Sequence, residues 1–318
     1  MWSGWNVRCN RAETLVATPI PLVDLADGVR TVAVIGRDAV GNFQAEVNAT
    51  TVSWTVDTIA PTLAETTPVA TPTNDTTPSL TVLVENGAAW EVLRGETALT
   101  SGTGTGAAQT VALPELTDGI YALTLAATDA AGNRASITLE AFVVDTASPV
   151  GLSLTGVPAA LTNVASATIT VVTGGDIVAY RFALDGGAFG NETPVATPIT
   201  LTGLVDGAHT LRVIGRDAAG NVMPESIAAT ATWIVDTVPP IAVLENLPRA
   251  TTPATVANIT VGGAGVVAYR SSLDGGAFGD EKPGAEPIAL RNLANGTHTI
   301  AVIGRDAAGN LQDVASAA

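Results

Sequence analysis

The stretch Leu204–Asn221, LVDGAHTLRVIGRDAAGN, holds a corner, a strand and a turn in succession. Asp206-Gly207 is a common corner pair, because Asp bonds nearby backbone amides and Gly accepts a positive φ. From there the residues alternate: His209, Leu211, Val213 and Gly215 form one set, and Thr210, Arg212 and Arg216 form the other. A period of two predicts a strand with one buried face, interrupted here only by Ile214. Asp217-Ala218-Ala219-Gly220-Asn221 then reads as a tight turn.

The turn recurs. GRDAAGN returns at Gly304–Asn310, as GRDAVGN at Gly36–Asn42 and as TDAAGN at Thr128–Asn133, so Asp38, Asp129, Asp217 and Asp306 stand 91, 88 and 89 residues apart. Val-Asp-Thr keeps the same interval at Val56–Thr58, Val144–Thr146 and Val235–Thr237, with Pro61, Pro149 and Pro240 close behind. A fixed period of this length marks an array of one module. Function in such an array is sought at the joints before it is sought in a pocket.

Residues 13–57 align without a gap on 192–236, and 180–229 align on 269–318. Repeats one, three and four are therefore one subtype. Repeat two keeps the ends but has its own middle, with Asn74–Pro78 and a Gly/Thr-rich turn at Ser101–Gly106. Alternation and turn residues in repeat three predict seven strands: Gly151–Leu154, Ala167–Val172, Val178–Leu184, a weak strand beyond Asp185-Gly186-Gly187, Ile199–Leu204, His209–Arg216 and Ala228–Val235. The same alternation places Trp54, and by alignment Phe142 and Trp233, in the core. Two antiparallel sheets face to face make a sandwich, so the fold class is all-β. The predicted domains are 1–57, lacking its first strands and divergent over 1–12; 58–146, the sister subtype; 147–236, complete; and 237–318, lacking its last strand. These ends predict a fragment of a longer chain.

Composition agrees with strands. Hydrophobic residues are 47 % and aromatics 4 %, and the apolar content is Val, Ala, Leu and Ile beside many Thr. A net charge of −16 repels phosphate backbones and anionic surfaces, which argues against nucleic acid as a partner. Cys9 is the single cysteine, so neither a disulfide framework nor a thiolate metal site can form within the chain. No run approaches the roughly eighteen apolar residues of a membrane span, and residues 1–30 lack a basic start followed by an apolar run. Neither a membrane insertion nor a signal peptide is expected in this stretch.

LVDGAHTLRVIGRDAAGN followed by WIVDTVPP (Trp233–Pro240) resembles the bacterial immunoglobulin-like domains strung along giant surface adhesins and other exported proteins. Leu204-Val205-Asp206-Gly207 also resembles the corner before the penultimate strand of fibronectin type III domains, with Asp in the usual Pro place. The resemblance implies tandem Ig-like sandwiches arranged as an extended rod, an extracellular or cell-surface location, and neighbouring repeats of the same chain as the partners. A host or matrix ligand would be held by domains outside this segment.

Strand parity predicts which loops meet at a joint. The corner before the penultimate strand and the end of the last strand share one pole, and the turn between those two strands lies at the other. The first joint should gather Asp27, Asp57 and Asp129, the second Asp118, Asp145 and Asp217, and the third Asp206, Asp236 and Asp306. Two chemistries suit this pattern. Converging carboxylates can share a calcium ion, which takes six to eight oxygens and which, in the resembled arrays, stiffens the rod at such linkers. Alternatively, Asp before Ala-Ala-Gly-Asn is simply a good turn former, and no dense Asp-x-Asp-x-Asp loop is present.

His209 and His298 stand where repeat one has Arg30 and repeat two has Tyr121, so they are packing residues at a strand start rather than a repeated base or ligand. Trp54 and Trp233 suit a core better than a sugar platform; Trp90, Tyr180 and Tyr269 are open on this point. Two histidines and one cysteine assemble no catalytic triad or zinc site. The expected function is a non-enzymatic spacer or stalk of a larger surface protein. The alternative is a carbohydrate- or ligand-binding accessory module of an exported enzyme or adhesin.

Overall fold

A computed structural model describes residues 17–318; Cys9, Glu13 and the divergent segment 1–12 lie outside the described residues. The chain divides into two compact units that meet at Thr146 and Ala147 in sequence. Among the described residues, regular structure is strand apart from three short 3-10 turns at Glu46–Asn48, Glu225–Ile227 and Val314–Ser316. Among the described residues no helix is long and apolar enough to cross a membrane.

The first unit opens with an antiparallel hairpin, β1 (Gly28–Val34) and β2 (Thr50–Val56). Nine strands follow: β3 (Leu63–Thr67), β4 (Ser79–Val84), β5 (Ala89–Arg94), β6 (Thr97–Thr103), β7 (Ala108–Ala112), β8 (Gly119–Tyr121), β9 (Thr124–Thr128), β10 (Arg134–Thr138) and β11 (Phe142–Val144). They form a sheet β3-β4-β7, a second β10-β9-β5-β6, and a short pair β11-β8. Val82, Val84, Trp90, Val92, Leu125 and Phe142 pack one core between them. Phe142 stacks on Tyr121 with ring centroids 5.4 Å apart. Trp90 lies flat on Gly102, where a Cβ would come within 2.5 Å of the indole, so the small residue makes room for the large one.

The second unit holds two more two-sheet layers. In the first, β12 (Leu152–Thr155), β14 (Ser166–Thr173) and β17 (Ile199–Thr202) form one sheet. The facing sheet has the order β13-β19-β18-β15-β16, from β13 (Leu161–Thr162), β15 (Ile177–Leu184), β16 (Thr193–Pro194), β18 (Gly207–Asp217) and β19 (Ala229–Val235). Ile169, Ile199, Leu211, Val213, Tyr180 and Trp233 close the core from both sides. In the second layer, β20 (Val243–Glu245), β21 (Ala257–Gly262) and β24 (Ile288–Leu290) face β22 (Ala268–Leu273), β23 (Lys282–Pro283) and β25 (Ile300–Arg305) around Ile259, Tyr269 and Val302.

Three expectations need correction. Repeat three has eight strands, because Leu161–Thr162 adds a two-residue strand parallel to β19. Ile214 points to the face opposite Val213 and is nevertheless buried, because the returning segment brings Met223 over it beside Ile177; the distal half of β18 is thus covered on both faces. Trp54 is half-buried, whereas Phe142 and Trp233 are each 2 % exposed. Alternation chose the right face for Trp54, but β1 and β2 form a two-stranded sheet with no buried residue, so nothing closes over it.

The contrast is measurable. Leu211 is fully buried, and Leu211→Ala should cost about 2–5 kcal/mol in urea unfolding. Its repeat-one counterpart Val32 lies in the open hairpin, and Val32→Ala should cost under about 1 kcal/mol.

Candidate functional site

Each repeat builds its turn around one aspartate that holds the turn asparagine by amide and side chain, and takes a further amide two residues on in repeats one and two and three residues on in repeats three and four. Asp38 Oδ1 accepts from the amides of Val40 (3.0 Å) and Asn42 (2.8 Å), and its Oδ2 accepts from Asn42 Nδ2 (2.8 Å). Asp129 takes the amides of Ala131 and Asn133 at 2.9 Å each and Asn133 Nδ2 at 2.9 Å. Asp217 takes the amides of Gly220 (2.7 Å) and Asn221 (2.8 Å) and Asn221 Nδ2 (2.9 Å). Asp306 takes the amides of Gly309 and Asn310 at 2.8 Å each and Asn310 Nδ2 at 2.9 Å. The backbone carries the rest: Gly132, Gly220 and Gly309 sit at φ of 96°, 104° and 101°, which side chains resist. The donors tell on the acid. The Asn42 amides hold the Asp38 carboxyl below the usual carboxylate range, and the Asn133 side chain does the same for Asp129 against the opposing effect of desolvation.

The first residue of the heptapeptide has a packing role. A Cβ on Gly215 would lie 2.8 Å from Ile177 Cδ1, and one on Gly304 would lie 3.0 Å from Val266 and 3.2 Å from Ala242. The second residue pairs across the sheet, Arg216 with Glu192 at 2.9 Å and Arg305 with Glu281 at 2.7 Å. Both pairs are partly exposed and contribute little on their own.

The corner aspartates do something else. Asp27 Oδ1 accepts from Thr58 N (3.1 Å) and Oγ1 (2.9 Å), Asp118 Oδ1 from Thr146 N (3.0 Å) and Oγ1 (2.8 Å), and Asp206 Oδ1 from Thr237 N (2.9 Å) and Oγ1 (2.8 Å). Each therefore ties the corner to the second residue after the last strand. The linker aspartates turn their own chain: Asp57 accepts from Ile59 N and Asp236 from Val238 N, both at 3.1 Å. Asp145 donates its backbone amide to the Thr73 carbonyl at 2.9 Å.

Strand parity holds where it can be read within one unit. Asn133 Nδ2 reaches the Asp57 carbonyl at 3.1 Å, and Asn310 Nδ2 reaches the Asp236 carbonyl at 2.6 Å. The hairpin turn of one repeat therefore meets the linker that precedes it. Asp27, Asp57 and Asp129 join through Thr58 and Asn133, and Asp206, Asp236 and Asp306 through Thr237 and Asn310. Asp118 and Asp145 belong to the first unit and Asp217 to the second. Among the described residues, no carboxylate trio within either unit comes together within 4.8 Å. At the third joint an open cavity of about 370 Å³ is lined by Asp236, Asp306, Val238, Pro239, Ile241 and Ala264. Its donors are oxygens, as a hard cation requires, but Asp306 already accepts on both oxygens and Asp236 on one.

Two residue types went unread in the sequence. Thr58, Thr146 and Thr237 are the partners of the corner aspartates, and the repeated Val-Asp-Thr is the signal that could have found them. Asn133 and Asn310 make the contacts across the joint, and their invariant place in the turn was the signal there.

These features define a chain of immunoglobulin-like sandwiches with hydrogen-bonded joints. Residues 67–146 match the family model of the bacterial Ig-like domain. Among solved structures, the chain is similar to part of a 1.5-MDa bacterial ice-binding adhesin, with 16 % identity over 80 % of this chain and 96 % of that one and a TM-score of 0.40. It is also similar to fibronectin(III)-like modules of CbhA from Clostridium thermocellum, with 18 % identity over 55 % and 94 % of the two chains and a TM-score of 0.34. No curated protein sequence matches it.

Asp306 is 6 % exposed, and Asp306→Ala would remove the side-chain acceptor of two amides and of the Asn310 side chain. The substitution should cost about 1–3 kcal/mol in urea unfolding. Asp38→Ala, in the exposed copy of the same turn, should cost less.

Proposed function

We propose that this chain is a non-enzymatic spacer of a larger extracellular or cell-surface bacterial protein of the adhesin type, one that sets distance and stiffness between other domains. The observation that carries the reading is the bond from the hairpin-turn asparagine to the preceding linker carbonyl, made by Asn133 and again by Asn310. It fastens one repeat to the next without any ligand. The division into repeats ending near residues 57, 146 and 236 belongs to this proposal, supported by three separate cores. The rings also favour it over a carbohydrate-binding module: Trp90, Tyr180 and Tyr269 are buried, and Phe43 is the one exposed aromatic ring among the described residues.

Calcium at the joints is the second reading, favoured by the cavity that Asp236 and Asp306 line together. The remaining ligands would come from linker carbonyls and water, and the ion would screen carboxylates that otherwise repel in a chain of net charge −16.

A compact body of 318 residues has a radius of gyration of about 20 Å. Small-angle scattering should give a value well above that for the spacer, and a value near it would refute the extended arrangement. For calcium, melting in 10 mM calcium against chelator should show stabilisation of about 2.7 kcal/mol per site for a dissociation constant near 0.1 mM. Identical melts would remove the ion and leave the spacer standing.

A further inference from the structure

At one position in each repeat, the chain enters its penultimate strand with a side chain that turns back four residues. Tyr121 donates its hydroxyl to the Thr117 carbonyl at 2.8 Å, and Arg30 donates Nε to the Ala26 carbonyl at 2.8 Å. His209 Nε2 lies 2.8 Å from the Val205 carbonyl, and His298 Nε2 lies 2.9 Å from the Ala294 carbonyl. The corner carbonyl is the constant and the donor varies. A tyrosine in this place is a recurrent device of immunoglobulin-like folds.

Tyrosine and arginine remain donors throughout the neutral range. A neutral imidazole has a single N–H. In both histidine repeats the other ring nitrogen also faces an acceptor: His209 Nδ1 lies 2.8 Å from Asp185 Oδ2, and His298 Nδ1 lies 2.8 Å from Asp274 Oδ2. A carbonyl and an ionised carboxylate only accept, so both contacts are hydrogen bonds only while the ring carries two protons. Deprotonation leaves two acceptors around one donor. At His209 little water can compensate, since that side chain is 5 % exposed; at His298 the figure is 26 %.

We infer that His209 and His298 are pH-dependent latches on the corners of their repeats, closed as imidazolium and loosened as the ring loses a proton, while Arg30 and Tyr121 keep their corners closed across the same range. The groups facing each ring are few. Around His209 stand Asp185 from the turn after β15, the Val205 carbonyl, and the Trp233 ring of β19 with its centroid 5.8 Å away. The second Asp185 oxygen takes the Thr210 amide, Asp206 is engaged with Thr237, and Arg212 is turned to Phe189 and Glu225. Around His298 stand Asp274, whose second oxygen takes the Thr299 amide, and the Ala294 carbonyl. Each ring thus meets one anion and no cation.

The direction of titration follows from these contacts. The Asp185 carboxylate and then the Val205 carbonyl raise His209 above the ordinary histidine value against the effect of burial, and Asp274 and Ala294 do the same for His298. Burial pushes Asp185 up, but the Thr210 amide and His209 together bring it below its ordinary value; His298 and the Thr299 amide lower Asp274. A histidine raised in the folded state contributes stability that is complete below its unfolded value of about 6.5 and is lost as pH rises through the folded value. The aspartate contribution is lost only in acid, as pH falls through their lowered folded values. The latch therefore opens upward from about pH 6.5.

The chain has only two histidines, so their Cε1–H resonances can be followed by NMR in the intact protein. Both midpoints should lie above 6.5. No other side chain with an ordinary pKa titrates between pH 6 and 8, so thermal unfolding should show a transition that moves down in temperature as pH rises through that window. His209→Tyr/His298→Tyr installs the donor of repeat two and should abolish that shift, and His209→Arg/His298→Arg, with the donor of repeat one, should do the same. Midpoints at or below 6.5, or a shift that persists in a folded double variant, would overturn the latch.

Discussion

An aspartate that accepts hydrogen bonds from the amides of its own turn is the contact on which the rest of this molecule depends. It reverses the chain after β1, β9, β18 and β25, and it does so in the exposed setting of Asp38 as well as in the buried settings of Asp217 and Asp306. The bond pattern is therefore local. Once the turn is closed, its terminal asparagine is held by one carboxylate oxygen with a second amide hydrogen to spare. In Asn133 and Asn310 that hydrogen reaches the preceding linker. A local turn device thereby becomes a joint between repeats.

In repeats one to three the other pole is closed by a different pair of contacts. A corner aspartate captures the threonine that follows the last strand, and a donor four residues beyond the corner captures a corner carbonyl. The first bond joins residues 31 apart and ties the corner to the chain leaving the last strand, whereas the second is local, across four residues. Packing enforces the register. Gly215 and Gly304 admit Ile177, Val266 and Ala242 at distances that a side chain would forbid.

What could be read from the sequence follows the range of the interactions involved. The period of two along His209–Arg216 and Ala228–Val235 located β18 and β19 nearly to their ends, because a half-buried strand writes its own pattern. Ile214 broke that pattern because Met223, nine residues on and beyond the turn, covers it from the opposite face, and a period of two along one strand carries no trace of such a contact. Leu161–Thr162 was invisible because two residues have no period, and its partner strand is some seventy residues away. Trp54 shows another limit: alternation tells which face a side chain takes but not whether a second sheet closes over it. At the joints, parity brought the right loops together, but the contacting groups are a backbone carbonyl and an asparagine, which a search for carboxylates passes over.

In the proposed spacer the turn carboxylates serve backbone amides, and the joints need no ion to close. Amide hydrogen exchange at Gly309 and Asn310, compared with the core strand residue Val302 in the presence of chelator, tests this most directly, because exchange reports the local free energy of opening at each amide. Protection approaching that of Val302 without calcium is the predicted result. Exchange at the rate of an open loop, with protection appearing only when calcium is added, would contradict it.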